Sequence, residues 1–250
     1  GNTIRTIINR LELDLNYKVI GVMYDENGQP IYDGRDFVRN SKRFGVPQNR
    51  PRTYIMAFDR AHYGEELIRA LPNLLPDHND LNIYEDLNDL LEFGAEPRHY
   101  MSSGYLETLE RHRERQKANG NGFGYIVVNR PEVEHPIANT LLATGGSGKE
   151  RNLVFDPQDG IAGMIVPTKT TPLNAKGIRV MTPREWGKLQ GFIGYAFIEN
   201  GVDTFSFPEG ISDCQKYKQF GNSVTIPVIE TMARFMLECF EILGELANIE

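Results

Sequence analysis

The sequence predicts an α/β fold that carries a small, irregular, mostly β insert. Three observations lead there. Two apolar, strand-like runs lie near the N-terminal end, helical apolar periodicity marks both ends of the chain, and the middle holds short strand-like segments broken by glycine and proline. With 40% of its 250 residues hydrophobic the chain can bury a core, and a charged fraction of 24% is ordinary for a globular protein. No apolar run approaches the roughly 18 residues of a membrane span. The start, Gly1-Asn2-Thr3-Ile4-Arg5, has neither an initiator Met nor an apolar signal core. Two cysteines, Cys214 and Cys239, cannot build a disulfide framework or a four-cysteine zinc site, which points to an intracellular, cytoplasmic chain. The balance of 27 Lys+Arg against 34 Asp+Glu, net −7, argues against nucleic-acid binding by bulk charge and leaves room for a local basic face.

Taken in order, residues 3–13 carry Ile4, Ile7, Ile8 and Leu11 as a helical stripe. Residues 17–24 read as a mostly buried strand, residues 25–36 as a turn-rich excursion around Asn27-Gly28, Pro30 and Gly34, and residues 53–58 as a second buried strand. Residues 65–92 mix Asp77, Asp80, Glu85, Asp86 and Asp89 with Leu67, Leu71, Leu81, Leu87 and Leu90, which predicts a solvated helical connector. Composition shifts near Pro97. A basic helix over 105–124, with Arg111, Arg113, Arg115 and Lys117, then precedes strand-like segments at 124–128, 139–144 and 163–166. Thr182-Pro183-Arg184-Glu185 has the chemistry of a capping box, with Thr as N-cap, Pro at the first helical position and Glu three residues after the cap. Trp186, Leu189 and Phe192 supply the buried side of that helix. A long amphipathic helix over 226–243 should bury Ile229, Met232, Phe235, Met236, Cys239, Phe240 and Leu243.

Several tempting sites fail. Gly145-Gly146-Ser147-Gly148-Lys149-Glu150 resembles a phosphate loop, yet Ala143 and Glu150 occupy positions that require Gly and Ser or Thr. Gly120-Asn121-Gly122-Phe123-Gly124 lacks the third glycine of a dinucleotide turn, because Tyr125 stands there. His62, His78, His99, His112 and His135 show no metal-ligand spacing, so no metal is expected.

Three distant segments carry more. The first is Phe44-Gly45-Val46-Pro47-Gln48-Asn49-Arg50-Pro51-Arg52. Arg50 and Arg52 stand two apart beside a strand, so an extended backbone points both the same way. Two such guanidinia suit a phosphate or a carbonyl gaining negative charge, an exposed basic loop being the alternative. The second runs from Arg179 to Phe192 and the third from Tyr217 to Val224. By themselves these are a helix start and a Gly-Asn turn.

In this order the segments closely resemble three late motifs of the cytosine-5 DNA methyltransferases: Gln-x-Arg-x-Arg (Gln48, Arg50, Arg52), Arg…Thr-x-Arg-Glu…Gln-Gly-Phe (Arg179, Thr182, Arg184, Glu185, Gln190, Gly191, Phe192) and Gly-Asn-Ser-Val (Gly221, Asn222, Ser223, Val224). The resemblance extends over residues 3 to about 240, and the family places its variable target-recognition region between the first two motifs. It implies the C-terminal part of a Rossmann-like, S-adenosylmethionine-dependent methyltransferase fold. Residues 1–96 would complete the catalytic domain, 97–177 would form the inserted target-recognition domain, and 178–250 would hold the hinge helix and the return to the catalytic domain. The family rotates a cytosine out of duplex DNA, adds a thiolate to its C6 with a buried Glu assisting at N3, and transfers a methyl group to C5. By resemblance Arg52 would bind the O2 of the base, Arg50 would support the base or a nearby phosphate, Gln48 would order the loop, and Asn222, Ser223 and Val224 would line the cofactor cleft. Thr140 and Leu141 match a Thr-Leu pair frequent in these recognition regions. Gly145, Gly146 and Gly148 would let a loop approach DNA, with Lys149, Arg151 and Asn152 as donors. Arg111, Arg113, Arg115 and Lys117 would touch phosphates or simply solvate their helix.

The chain also departs from that pattern. It has no Pro-Cys dipeptide, no Phe-x-Gly-x-Gly turn and no Glu-Asn-Val strand, which carry the family's nucleophile, cofactor turn and acid. The expectation is therefore the C-terminal portion of such an enzyme, and the stretch from Gly120 to Gly124, which resembles that of bacterial restriction-modification and Dcm-like enzymes, implies a prokaryotic or phage origin. The chain would be inactive alone, and its partners would be double-stranded DNA and an N-terminal half from the same longer chain or a separate subunit. A non-catalytic, sequence-specific DNA-binding module is the alternative.

Overall fold

The computed structural model describes residues 2–122, 124–144 and 148–244. Its helices are α1 (Asn2–Asn9), α2 (Arg60–Tyr63), α3 (Glu65–Arg69), α4 (Leu87–Leu90), α5 (Ser103–Ala118), α6 (Pro183–Leu189), α7 (Asp213–Asn222) and α8 (Ile226–Ile242). The strands are short: β1 (Tyr17–Val19), β2 (Met23–Tyr24), β3 (Pro30–Ile31), β4 (Val38–Asn40), β5 (Gln48–Asn49), β6 (Pro51–Thr53), β7 (Ala57–Asp59), β8 (Ala138–Asn139), β9 (Leu153–Phe155), β10 (Ile178–Val180), β11 (Ile198–Glu199) and β12 (Val202–Asp203). The chain divides into two units, one made of the segment ending at Phe44, Pro51–Asp80 and the segment starting at Pro227, the other of Gly45–Arg50 and Leu81–Ile226. The second unit encloses the expected recognition region 97–177 together with its flanks. No described helix is long and apolar enough to cross a membrane.

In the first unit the expected helix over 3–13 holds as α1 to Asn9 and widens into a π turn over Arg10–Asp14. The expected strand over 17–24 breaks after Val19. Gly21 sits at φ +100°, a conformation side chains disfavour, and a Cβ there would fall 3.1 Å from the Phe37 ring. The run at 53–58 is likewise divided: β6 pairs with β4, while β7 pairs antiparallel with β1 through Lys18↔Phe58. Each apolar run serves two ladders because the chain turns between them. The core joins Ile20, Phe44, Phe58, Ile68, Leu71 and Leu75 to Val228, Met232, Phe235, Cys239 and Leu243. The stripe at 228, 232, 235, 239 and 243 is a helical repeat of three and four. Ile229 and Met236, expected in the core, lie off this stripe and are each 38% exposed.

The acidic stretch 65–92 is not one solvated helix. It forms α3 and α4 with a non-helical segment between them, and Ile68, Leu71, Leu75, Leu87 and Leu90 are buried while Asp77, Asp80, Glu85 and Asp89 stay in water. Leucine burial outweighs the acidic composition because each acid can be solvated without moving its neighbours.

The second unit packs Leu87, Leu90, Val128, Leu141, Val154, Met181, Trp186, Leu189, Tyr217 and Phe220 into one cluster. Its strands are sparse. Residues 124–128 contribute a single bridge from Val127 to Leu153, residues 139–144 contribute only the end of β8, and residues 163–166 form no strand, Gly163 and Met164 exchanging backbone hydrogen bonds with Leu173. The longer ladder is instead β9 with β10, paired through Val154↔Arg179. The capping box of α6 is present, with Thr182 Oγ1 accepting the Glu185 N–H at 3.1 Å and Glu185 Oε2 accepting the Thr182 N–H at 2.7 Å.

Candidate functional site

The Gln48–Arg50 segment belongs to the second unit, where β5 runs parallel to β8 with Gln48 opposite Ala138 and Asn49 opposite Asn139. Thr140 Oγ1 extends that pairing by donating to the Asn49 carbonyl at 2.8 Å. Gln48 is fully buried and donates from Nε2 to the Leu189 carbonyl at 3.0 Å. Arg50, 3% exposed, donates from Nη1 to the Leu141 carbonyl at 2.9 Å, and from Nη2 to the Gly221 and Ser223 carbonyls at 2.9 and 2.7 Å. One guanidinium thus ties the Thr-Leu pair to the Gly-Asn-Ser-Val turn. Gly221 makes this approach possible, since a Cβ there would lie 2.3 Å from the Leu142 carbonyl oxygen.

That turn is stapled from behind by Gln190, which donates to the Phe220 carbonyl at 2.9 Å and accepts the Thr225 hydroxyl at 2.8 Å. Beside it, Arg179 is fully buried and held by Glu185 at 2.7 and 2.8 Å and by Asp156 at 2.6 Å. Burial opposes its charge, but the hydrogen bonds and charges of Glu185 and Asp156 win and raise its pKa. Arg179 and Glu185 are legible as motif members. Asp156 carries no local signal, because only the β9–β10 register brings it there.

Arg52 has a different fate. It lies on β6 of the first unit, exposed, with Nη1 donating to the neighbouring Pro51 carbonyl at 2.7 Å. The expectation that both arginines share one direction assumes an uninterrupted strand, whereas Arg50 is the joint between β5 and β6, which pair with different partners.

Residues 4–238 match the family described as C-5 cytosine-specific DNA methylase. The chain belongs to that family. It is 35% identical to the type II methyltransferase M.HpaII of Haemophilus parainfluenzae, an alignment covering 95% of this chain and 56% of that relative. It is 31% identical to the type II methyltransferase M1.ScrFI of Lactococcus lactis subsp. cremoris, covering 96% of this chain and 48% of the relative. The chain therefore spans about half the length of the curated relatives it matches. Among solved structures, the Entamoeba histolytica methyltransferase EhMeth shares the fold, with a TM-score of 0.51, 18% identity, and coverage of 94% of this chain and 57% of that one.

Within this methylase family the remaining expected site residues fall as follows. Asn222 and Val224 are exposed on either side of Ser223, whose Oγ donates to the Phe220 carbonyl at 2.8 Å. Leu141 is buried in the core cluster. Asn152 is buried too and acts as a strut, accepting the Asn139 N–H at 2.7 Å and donating to its carbonyl at 3.2 Å. Arg151 is exposed, and Lys149 is half-buried with Nζ 4.1 Å above the Tyr217 ring. Gly148 adopts φ +81°, whereas Gly145 and Gly146 lie outside the described residues. Cys239 is fully buried, and burial, aided by the charge of Glu238, pushes its thiol up to about 11, so it is no nucleophile. Cys214 is exposed on α7 directly after Asp213. Among the described residues no cluster of His, Cys, Asp and Glu could hold a metal ion.

Proposed function

We propose that this chain is the C-terminal portion of a DNA (cytosine-5)-methyltransferase, which transfers a methyl group to C5 of a cytosine flipped from duplex DNA. In this reading the Pro-Cys nucleophile comes from an N-terminal half, in the same longer polypeptide or as a separate subunit. The observation that carries it is the Arg50 clamp, which joins the Gln-x-Arg-x-Arg segment, the Thr-Leu pair and the Gly-Asn-Ser-Val turn. The family match and the bacterial type II relatives support it, as they support a prokaryotic cytoplasmic setting in restriction-modification.

Arg52, whose guanidinium is exposed, donates to the O2 of the flipped base and stabilises the negative charge that develops when C6 is attacked. Arg50 contributes by position, because its donors are directed to three carbonyls. Gln48 orders the same loop from the core. Asn222 and Val224 supply one wall of the cofactor cleft, its remainder coming from the N-terminal half. S-adenosylmethionine, when bound, supplies the electrophilic methyl. Residues 97–177 choose the target, with Thr140 and Arg151 presented to the DNA.

Mixing the chain with a polypeptide that carries the Pro-Cys loop should restore methyl transfer to duplex DNA, and Arg52→Ala should then cost about 2.7–4 kcal/mol of barrier. An associated, folded complex with no activity would refute the assignment. The alternative is a recognition module without catalytic duty. That module would bind duplex DNA selectively with no response to S-adenosylmethionine, which a gel-shift series with and without the cofactor decides.

A further inference from the structure

The second unit holds a pocket of about 340 Å³ that the proposed site leaves unused. Lys149 and Lys169 line it together with Arg98, His99, Glu150 and Asp213. Neither pocket carboxylate forms an ion pair with these lysines: Glu150 accepts the Tyr105 hydroxyl at 2.9 Å, while Asp213 is held by Lys216 at 3.0 Å and Arg98 at 3.2 Å. Among the described residues, Lys149 and Lys169 have no hydrogen-bond acceptor and no ion pair. Lys149 rests only on the Tyr217 ring, 4.1 Å from its centroid. Burial, followed by Arg98, pushes His99 down to about 4, so it is neutral at pH 7 and changes nothing in the balance. Burial lowers the pKa of both lysines, and for Lys149 it outweighs the opposing charges of Glu150 and Asp213, with Lys169 adding a smaller push downward.

Two half-buried ammonium groups line one cavity, poorly solvated and without an ion pair. A single anion there would supply the missing counter-charge. A base edge offers only neutral acceptors, whereas a phosphate carries the charge and suits a compact ammonium. We propose that this pocket takes one backbone phosphate of duplex DNA, held between Lys149 and Lys169. The proposal rests on the DNA-binding reading above and moves Lys149 from reading bases to positioning the duplex.

The test uses the full chain, a fluorescein-labelled duplex of about 20 base pairs in several unrelated sequences, and a salt series from about 50 to 200 mM. Lys149→Met, Lys169→Met and the double variant are compared with Lys149→Arg and Lys169→Arg. For the double variant the slope of log affinity against log salt should fall by about 0.9, and binding near 0.1 M salt should weaken about eightfold on every sequence. Each single Met variant should show most of that loss, because the two lysines share one phosphate, and the Arg variants should keep the wild-type slope. An unchanged slope in a folded double variant overturns the proposal. So does a loss confined to one sequence, which would mean base reading. Inorganic phosphate at constant ionic strength forms a separate arm. If it raises the melting temperature of the wild type alone while the duplex slope is unchanged, the ligand is a free anion and the proposal fails. A wild type that binds no duplex counts against the DNA reading itself, and the phosphate arm still reports whether the pocket takes the anion.

Discussion

In the first unit α8 buries Met232, Phe235 and Cys239 against Ile20, Phe44 and Phe58, a core of apolar contacts around a helix. In the second unit Gln48, Arg179, Glu185 and Gln190 are fully buried, and Arg50 nearly so; Gln48, Arg50 and Gln190 bond to loop and helix-end backbone, while Arg179 pairs with Glu185 and Asp156. The difference follows from backbone hydrogen bonding. A regular helix satisfies its own N–H and C=O groups, so apolar side chains are enough to bury it. The segments 140–143 and 223–225 are irregular and the last carbonyls of α7 have no helical partner, so these carbonyls need side-chain donors once water is excluded. The first unit uses the same device where its own chain is irregular, for Arg39 donates to the Leu75 carbonyl at 2.7 Å and to the Pro76 carbonyl. Buried polar groups here mark where an irregular backbone is held in place, and in the second unit those places are the motif segments.

The strongest way to break this comparison is Glu185→Gln. It leaves Arg179 without its principal counter-charge and should cost about 3–5 kcal/mol in chemical denaturation. A loss below about 1 kcal/mol would mean that the buried network contributes little to the second unit. Met232→Ala probes the apolar side of the contrast. It should cost about 3 kcal/mol through lost burial and a residual cavity, with no effect of salt on the difference.

Acid should weaken the second unit first. His99 is held at about 4 in the folded state against roughly 6.5 unfolded, so the unfolded chain binds its proton first. The stability tied to neutral His99 is fully present above about pH 6.5, is lost as pH falls towards 4, and amounts to about 2–3 kcal/mol. Denaturation midpoints of His99→Gln should lack that part of the pH dependence. If wild type and variant follow the same curve between pH 6.5 and 4, burial of His99 is not what sets its charge.

Arg50→Lys and Arg52→Lys separate the neighbouring arginines. The first should cost about 2 kcal/mol of stability, because one ammonium cannot serve three carbonyls in a fixed plane. The second should leave the melting temperature unchanged and lower methyl transfer by the reconstituted enzyme. Equal melting losses in both would erase the distinction between holder and donor. The smallest effect belongs to Arg10→Ala, which removes an exposed i,i+4 pair with Asp14 and should cost less than about 0.5 kcal/mol.

Much of the candidate site is legible in the linear chain. Gln48, Arg50, Gly221 and Ser223 stand in segments whose residue types and order mark the family, and the match over 4–238 agrees. Asp156 and Lys169 escape such a reading, since one is an acid among many and the other a lysine in a turn. The strands are misjudged for a related reason. Apolar runs at 17–24 and 53–58 look continuous because burial is continuous, while Gly21 and the change of pairing partner that breaks them is visible only when the ladders are formed.

By itself the sequence determined what is settled within a few residues: the capping box of α6, where Thr182 and Glu185 satisfy each other three positions apart, and the helical character of α8, though not every residue of its buried face. Only the tertiary structure decided that Arg50 is buried and Arg52 exposed. The partners of Arg50 lie 91, 171 and 173 residues further along the chain, and no local preference encodes a hydrogen bond across that separation. Capping chemistry is short-ranged, whereas the fate of a guanidinium depends on which distant carbonyls folding leaves without water.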